Sequence, residues 1–391
     1  LLSFCLGLCF PPLVIAQLDE ASADQASASG ELEESILESP TQYLSKATVI
    51  SILEEGSREI AGYVNPYQLV QIRFLDGPEA GRPVTIEHGG MYTLTETDKV
   101  YPGQKVVVST LEINGLNEYL IVDSYRLPMI YWLIGSFFAI VVVIAGKKGV
   151  GSIIGMMISL AIITGFIVPQ ILAGNSPLLI SLSGSLLILI ITIFLAHGLN
   201  KQTGVAVIST LVSLLITGIF SIVFVDLAHL TGLGSDDALS LQLGQTHIIN
   251  LKGLLLGGMI IGAVGVLDDI TTSQSAVVFA LKKANKKLSF SQLYLKAKDV
   301  GTEHIASLVN TLVMAYAGAA LPIFIFFVLN PNQEPLWAIL NSELVTEEIV
   351  RTIAGSLGLV LSVPITTTIA AWYVSEFPNA IKDIHDHDHH H

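Results

Sequence analysis

Two adjacent acids, Asp268 and Asp269, lie within residues 253–281, a stretch that is otherwise uncharged and largely apolar. A carboxylate at membrane depth costs about 2.5–3.5 kcal/mol on insertion scales unless it faces a wet cavity or a cation. Thr272 and Ser275 follow the acids closely and add hydroxyl oxygens to the carboxylates. Such oxygen-rich surroundings suit H⁺, Na⁺, Mg²⁺ or Ca²⁺ rather than soft metals.

Residues three, four and seven positions apart share one face of a helix, so Asp268, Thr272 and Ser275 are expected to lie together. Asp269 falls on the adjoining face. We therefore predict that these four residues form a substrate or ion site within the membrane. The alternative is that the two acids only cap the end of a short helix at the membrane rim.

Three more polar residues lie in later apolar stretches. Asn310 and Thr311 belong to residues 305–333, and Thr366 closely follows Pro364 in the last apolar stretch. A buried Asn in a spanning helix commonly bonds a neighbouring helix, and contact with a substrate is the other interpretation. Pro364 frees a backbone carbonyl and favours a kink. We include Asn310, Thr311 and Thr366 among the candidate substrate or ion ligands.

The composition narrows the class of protein. The chain is 51% apolar and 13% charged, whereas soluble domains average about 25% charged residues. This predicts an integral membrane protein, with the lipid bilayer as its first partner, and excludes a soluble enzyme. The net charge of −14 argues against nucleic acid, which binds basic surfaces. The sequence specifies no cofactor, and the His-rich residues 385–391 are either a metal-binding tail or part of a tag.

The N-terminal part predicts three segments. Residues 1–16 are typical of a signal peptide, with a retained membrane anchor as the alternative. Residues 17–45 are predicted to be a disordered acidic linker. Residues 46–126 alternate in polarity and contain an Asn114-Gly115 hairpin signal, which favours a small OB-like β-barrel. The expected strands are residues 47–53, 68–74, 83–87, 105–110 and 119–125.

Residues 127–375 are predicted to form a transmembrane domain of about seven helices, followed by a cytoplasmic tail at residues 376–391. Lysines such as Lys147, Lys201 and Lys282 fall on one side if the spans alternate, and the positive-inside rule places that side in the cytoplasm. The β domain then lies outside the plasma membrane. The expected spans are residues 127–146, two within 149–200, 202–225, 253–281, 305–333 and 352–375.

Several segments carry a family resemblance. Residues 262–269 (GAVGVLDD), 297–301 (AKDVG) and 309–318 (VNTLVMAYAG), together with the turn at residues 101–105 (YPGQK), resemble the YibE/F-like family of bacterial membrane proteins. The resemblance implies a multi-pass plasma-membrane protein with an extracytoplasmic β domain. By this resemblance, the residues that match positions of the family motif are Asp268 or Asp269, Asn310 and Thr311. The resemblance implies no particular activity.

The favoured functional hypothesis is a permease or ion-coupled transporter of an unidentified small solute or cation. The alternative is an envelope scaffold or assembly factor whose β domain binds a partner protein, with Asp268 and Asp269 only capping a helix. An enzyme is not expected, because adjacent aspartates on one helix cannot face each other across a substrate as an aspartyl protease requires. The absence of a P-loop motif argues against an ATP-driven pump acting alone. The sequence also allows assembly into a homo-oligomer.

Overall fold

The computed structural model describes residues 41–60, 63–89, 94–95, 97–113, 116–244, 249–329 and 334–377. The predicted signal peptide, most of the linker, the Asn114-Gly115 turn and residues 378–391 of the tail lie outside these residues. The chain divides into two compact units, with the boundary between Phe137 and Phe138.

The N-terminal unit is a five-stranded antiparallel sheet, in agreement with the predicted strands. The order across the sheet is β3-β2-β1-β4-β5. β1 begins five residues before the expected start of the β domain because residues 41–48 pair with β4. The strands are β1 (Thr41–Ile60), β2 (Tyr63–Phe74), β3 (Pro83–His88), β4 (Lys105–Ile113) and β5 (Leu116–Ser124).

Alternation along the strands explains the core of this unit. Side chains two residues apart point to the same face of a strand, and Val49, Val70, Ile72, Val106 and Val108 are all essentially inaccessible to solvent. They pack into one hydrophobic cluster. Burial of a Val or Ile side chain contributes about 1.5–3 kcal/mol, so this shared face holds the strands together.

Ten helices, α1 to α10, follow in the described part of the chain. They are α1 (Leu127–Ile162), α2 (Val168–Leu172), α3 (Pro177–His197), α4 (Lys201–Leu227), α5 (Asp236–Gly244), α6 (Leu251–Ala284), α7 (Phe290–Ala319), α8 (Leu321–Leu329), α9 (Leu336–Leu340) and α10 (Glu343–Glu376). A π-helix, Ile163–Ile167, joins α1 to α2.

Helix length and composition are compatible with a membrane protein. Within the described residues, five helical stretches are long and apolar enough to cross a bilayer, and α7 with α8 makes a sixth if that pair is one span bent by 65°. The first stretch, Leu127–Leu172, is 46 residues long. It is broken at Gly146, whose φ of 55° and ψ of −133° are not helical.

Helix α6 is central to the C-terminal unit, since it contacts α3, α4, α7 and α10. Its contact with α4 includes a hydrogen bond between the hydroxyls of Thr210 and Thr271, whose oxygens are 2.5 Å apart. The approach of α10 to α4 requires Gly358, because a Cβ atom there would overlap the Thr217 side chain. Small and hydroxyl side chains therefore let these helices pack closely.

Candidate functional site

Helix α6 passes through the aspartate pair without interruption. Its 34 residues run from Leu251 to Ala284, a length of about 51 Å at 1.5 Å per residue. Asp268 and Asp269 lie near the middle of that length. Neither acid is at a helix end, so the interpretation that they cap a helix is wrong.

The packing of α3 against α6 determines which residue of α3 lies opposite Asp268. The two helices run parallel, and a Cβ atom on Gly253 would lie 3.3 Å from Pro177 while one on Gly257 would overlap the Ser181 hydroxyl. The same offset along both helices places Asp268 opposite Thr192. The close approach depends on the two glycines, because any larger residue would separate the helices.

Asp268 lines a groove of about 450 Å³ between α1, α3 and α6. Its Oδ1 atom is buried, and no described residue forms a hydrogen bond with it. The Ser185 hydroxyl, which lines the same groove, is also buried and has no hydrogen-bond partner in the described part of the chain. Ser152, Ser159 and Thr192 add three more hydroxyls to the lining. Buried polar atoms are normally paired, so these two unpaired atoms make the groove the candidate site of this unit.

The second half of α1 forms the outer wall of the groove. A Cβ atom on Gly151 would lie 3.2 Å from the Leu195 carbonyl oxygen, and one on Gly155 would lie 3.6 Å from Thr192 Cγ2. This wall lies between two irregularities, the non-helical Gly146 and the π-helix Ile163–Ile167. Short π-helical segments occur frequently at functional sites.

Asp269 does not line the groove. It is exposed on the adjoining face of α6, as the helical spacing predicts. Asp269 and Lys148 are both within electrostatic range of the His197 ring at the end of α3. The two adjacent acids therefore occupy different environments, one in the groove and one exposed within electrostatic range of His197 at the end of α3.

Thr272 and Ser275 bond to backbone carbonyls. The Thr272 hydroxyl donates to the Asp268 carbonyl oxygen at 2.8 Å. The Ser275 hydroxyl is fully buried and donates to the Gln202 carbonyl oxygen of α4 at 3.0 Å. Neither side chain lines the groove, so the structure does not bring them together with Asp268 at one site.

Thr366 is fully buried on α10, and its hydroxyl has no hydrogen-bond partner among the described residues. It does not line the Asp268 groove. The neighbouring Thr367 hydroxyl accepts a hydrogen bond from Gln274 Nε2 at 2.7 Å, and the same nitrogen donates to the Ala297 carbonyl oxygen at 2.8 Å. Gln274 thus joins α6 to both α7 and α10.

Asn310 and Thr311 lie away from the groove. Both are exposed on α7, and the Thr311 hydroxyl donates to the Ser307 carbonyl oxygen within the same helix at 3.0 Å. The structure therefore separates the predicted ligands into a groove residue, Asp268, and residues that serve helix contacts or face outward.

Sequence reasoning missed the hydroxyls of Ser152, Ser159, Ser185 and Thr192. A signal was present, since Gly151, Gly155 and Ser159 recur every four residues, a spacing typical of close helix contact. The described residues contain no group of three or more His, Cys, Asp or Glu side chains that could hold a metal ion. The groove offers a cation one carboxylate and several hydroxyls.

The sheet unit has a smaller polar cavity of about 150 Å³, whose lining includes His88, Asp98, Asp123 and Arg126. The Thr95 hydroxyl and backbone N–H donate to Asp98, which lowers the pKa of that carboxyl. Arg126 forms an ion pair with Asp123 at 2.5 Å. The charged groups of this cavity are thus engaged with one another or with nearby hydroxyls.

The fold and the groove define a helical protein, compatible with a membrane, that carries a separate five-stranded sheet unit. The model of the YibE/F-like protein family matches residues 133–376, which is more than half of the 391 residues. The chain therefore belongs to the YibE/F-like family, and the resemblance over the helices is confirmed. The sheet unit lies outside the match. No curated protein and no solved structure matches the chain.

Proposed function

We propose that this protein is a permease or ion-coupled transporter of a small solute or cation, with Asp268 as the central ligand. The observation that carries the proposal is the buried, unpaired Oδ1 atom of Asp268 in a groove lined by four hydroxyl side chains. A carboxylate withdrawn from water requires a proton, a cation or a polar partner to compensate its charge. A volume of about 450 Å³ falls within the range of small-molecule sites.

Access to this site requires part of the wall to move. The segment of α1 between Gly146 and the π-helix Ile163–Ile167 covers the groove through Gly151 and Gly155. It contributes few buried side chains, because only Gly149 and Gly155 of α1 are buried. A loosely packed segment between two backbone irregularities is suited to the gating that alternating access demands.

The topology proposed with this function has seven spans. Gly146 divides the 46-residue apolar stretch into two spans, and α7 with α8 supplies another. The lysine-rich loops then face the cytoplasm together with the C-terminus, and the N-terminal unit lies outside the bacterial plasma membrane. Residues 1–16 serve as the signal peptide. We further propose that the sheet closes into an OB-like barrel, because β3 and β5, at the two ends of the strand order, also contact each other.

A different observation favours an assembly role as a second candidate. Among the described residues, β1 pairs with β4 from Thr41 to Thr48. Its pairing with β2 continues as far as Ile60. The resulting two-stranded arm exposes Leu53 and Val64, which are 53% and 71% accessible. A protruding hairpin with an open edge can accept a strand from a partner protein. Replacing the arm with a short turn would then abolish complementation of a deletion strain, while Asp268→Asn would not.

Transport is tested with purified protein in liposomes under an imposed potassium diffusion potential, in one arm with a pH-sensitive dye inside and in the other with a sodium-sensitive dye and a sodium gradient. We expect cation entry to be faster than in empty liposomes. The rate of entry with the Asp268→Asn variant should be at least about tenfold lower than with wild type. Asp269→Asn is the matched control and should retain most of it. Equal rates for wild type, Asp268→Asn and empty liposomes in both arms would overturn the proposal.

A further inference from the structure

Helix α7 carries an outward face that no described part of the chain covers. Ser307, Asn310 and Met314 lie on this face at spacings of three and four residues, and all three are exposed. Met314 is 61% accessible. No described residue forms a hydrogen bond with the Asn310 amide, whereas the neighbouring Thr311 hydroxyl is satisfied within its own helix.

The position of Asn310 in the sequence makes this exposure costly. Residues 305–329 contain no charged side chain, so the amide belongs to an apolar stretch that includes the second half of α7 and all of α8. An amide that faces hydrocarbon forfeits hydrogen bonds that water would otherwise supply. Asn side chains in spanning helices therefore promote association with another helix.

The opposite face of α7 is packed against α6 and α10, and this packing fixes the rotation of the helix about its axis. Leu293, Ala297 and Gly301 are buried at intervals of four residues, and a Cβ atom on Gly301 would overlap Val363 of α10. Further along, Ile305 and Leu308 pack against a cluster on α6 and α10. Asn310 cannot turn inward without undoing these contacts.

We propose that two copies of this chain associate through α7, with Ser307, Asn310 and Met314 at the seam and the two Asn310 amides hydrogen-bonded to each other. An amide is self-complementary, because it carries both donors and an acceptor. Copies inserted in the same direction pair like with like about a two-fold axis. The spacing of three and four residues is that of a coiled-coil seam, where a single Asn fixes register and number of chains.

Gly318 supports the same seam from one turn beyond Met314. A Cβ atom added there would meet no atom of the described residues within 4 Å, so those neighbours do not require a glycine. Gly318 is exposed, and a small residue on an outward face allows a second helix to approach closely. The interface does not depend on transport, since Asp268 lies on α6 in a separate groove.

Cysteine cross-linking in native membranes tests the inference. Cys5 and Cys9 are the two cysteines of the chain, so Asn310→Cys is introduced in a Cys5→Ser/Cys9→Ser background. Mild oxidation should convert most of the protein to a species of twice the mass. Leu215→Cys, an equally apolar site on α4 that is 55% accessible, is the control and should remain monomeric. No dimer at position 310, equal dimer at position 215, or cross-linking only to a different protein would overturn the inference.

A second variant distinguishes loss of the dimer through the missing amide pair from loss through misfolding. Asn310→Leu keeps the helix apolar and should raise the dissociation constant of the dimer about 3- to 10-fold, as measured by dilution in lipid bilayers. Leu215→Ala should leave that constant unchanged, and both variants should keep the wild-type melting temperature. An unchanged dimer in Asn310→Leu would contradict the proposed amide pair.

Discussion

The hydroxyl oxygens of Thr210 on α4 and Thr271 on α6 lie 2.5 Å apart, and both side chains are fully buried. Thr271 follows Asp268 by three residues, so this bond lies almost one helical turn from the groove. The contact fixes the rotation of α6 about its axis. The rotation in turn directs Asp268 into the groove and leaves Asp269 exposed.

Replacing either threonine with valine removes this bond and should lower the stability of the helical unit. Interhelical hydrogen bonds in membrane proteins contribute about 0.6 kcal/mol on average and up to about 1.7. A double-mutant cycle with Thr210→Val and Thr271→Val, followed by thermal unfolding in detergent, should give a coupling energy in that range. Thr368→Val is the control, because the exposed Thr368 hydroxyl bonds only within its own helix. Additive effects of the two valines would show that the hydroxyls do not interact.

Filling the groove should stop transport without touching Asp268. A Cβ atom on Gly155 meets only an ordinary contact with Thr192, so the remaining atoms of a leucine would occupy the groove volume. We expect Gly155→Leu to reduce cation entry into liposomes at least about tenfold. Gly204→Leu on α4, where a Cβ atom meets no described atom within 4 Å, should be near wild type. Undiminished transport by Gly155→Leu would place the pathway elsewhere.

At acidic pH the sheet unit should lose the stabilisation that the contacts between Asp76 and Lys46 provide. The Lys46 backbone N–H donates to Asp76 Oδ1 at 2.6 Å, and the Lys46 ammonium pairs with Oδ2 at 3.0 Å. Both contacts hold the pKa of Asp76 below its usual 3.8. Because the folded pKa is the lower one, the stabilisation is complete above the unfolded pKa of about 3.9 and is lost as the pH falls through the folded value.

Hydrogen exchange in β1 measures this effect when wild type and Asp76→Asn are compared at the same pH. Asp76 is 44% accessible, so solvent screening limits the difference at pH 7 to roughly 2- to 5-fold faster exchange in the variant. The difference should shrink as the pH falls from 7 through the folded pKa of Asp76, which is the lower one. A difference that stays constant across this range would mean that the carboxylate charge is not involved.

Local patterns predicted the sheet unit and the start of α7. The spacing of Ser289 and Gln292 is that of a capping box, and at the start of α7 the backbone N–H of each residue donates to the side chain of the other. Alternating apolar residues likewise located all five strands. These features depend on residues close in sequence, so a single chain segment contains the information.

The groove could be predicted only in part. The cost of a buried acid identified Asp268, but Ser185 and Thr192, which line the same groove, belong to α3. Their position depends on the offset between two packed helices. Helical spacing likewise could not show whether a neighbour covers the face that carries Asn310. Both questions concern contacts between distant segments, which periodicity alone does not encode.

The central claim is that the Asp268 carboxyl group is reachable through the groove and can hold a proton or a small cation there, and chemical labelling tests it most directly. A hydrophobic carbodiimide reacts with protonated carboxylic acids in apolar surroundings, and peptide mass spectrometry locates the adduct. The account predicts an adduct on Asp268 that disappears in Asp268→Asn and persists in Asp269→Asn. An adduct unaffected by Asp268→Asn, or no reaction of Asp268 between pH 5 and pH 8, would contradict it.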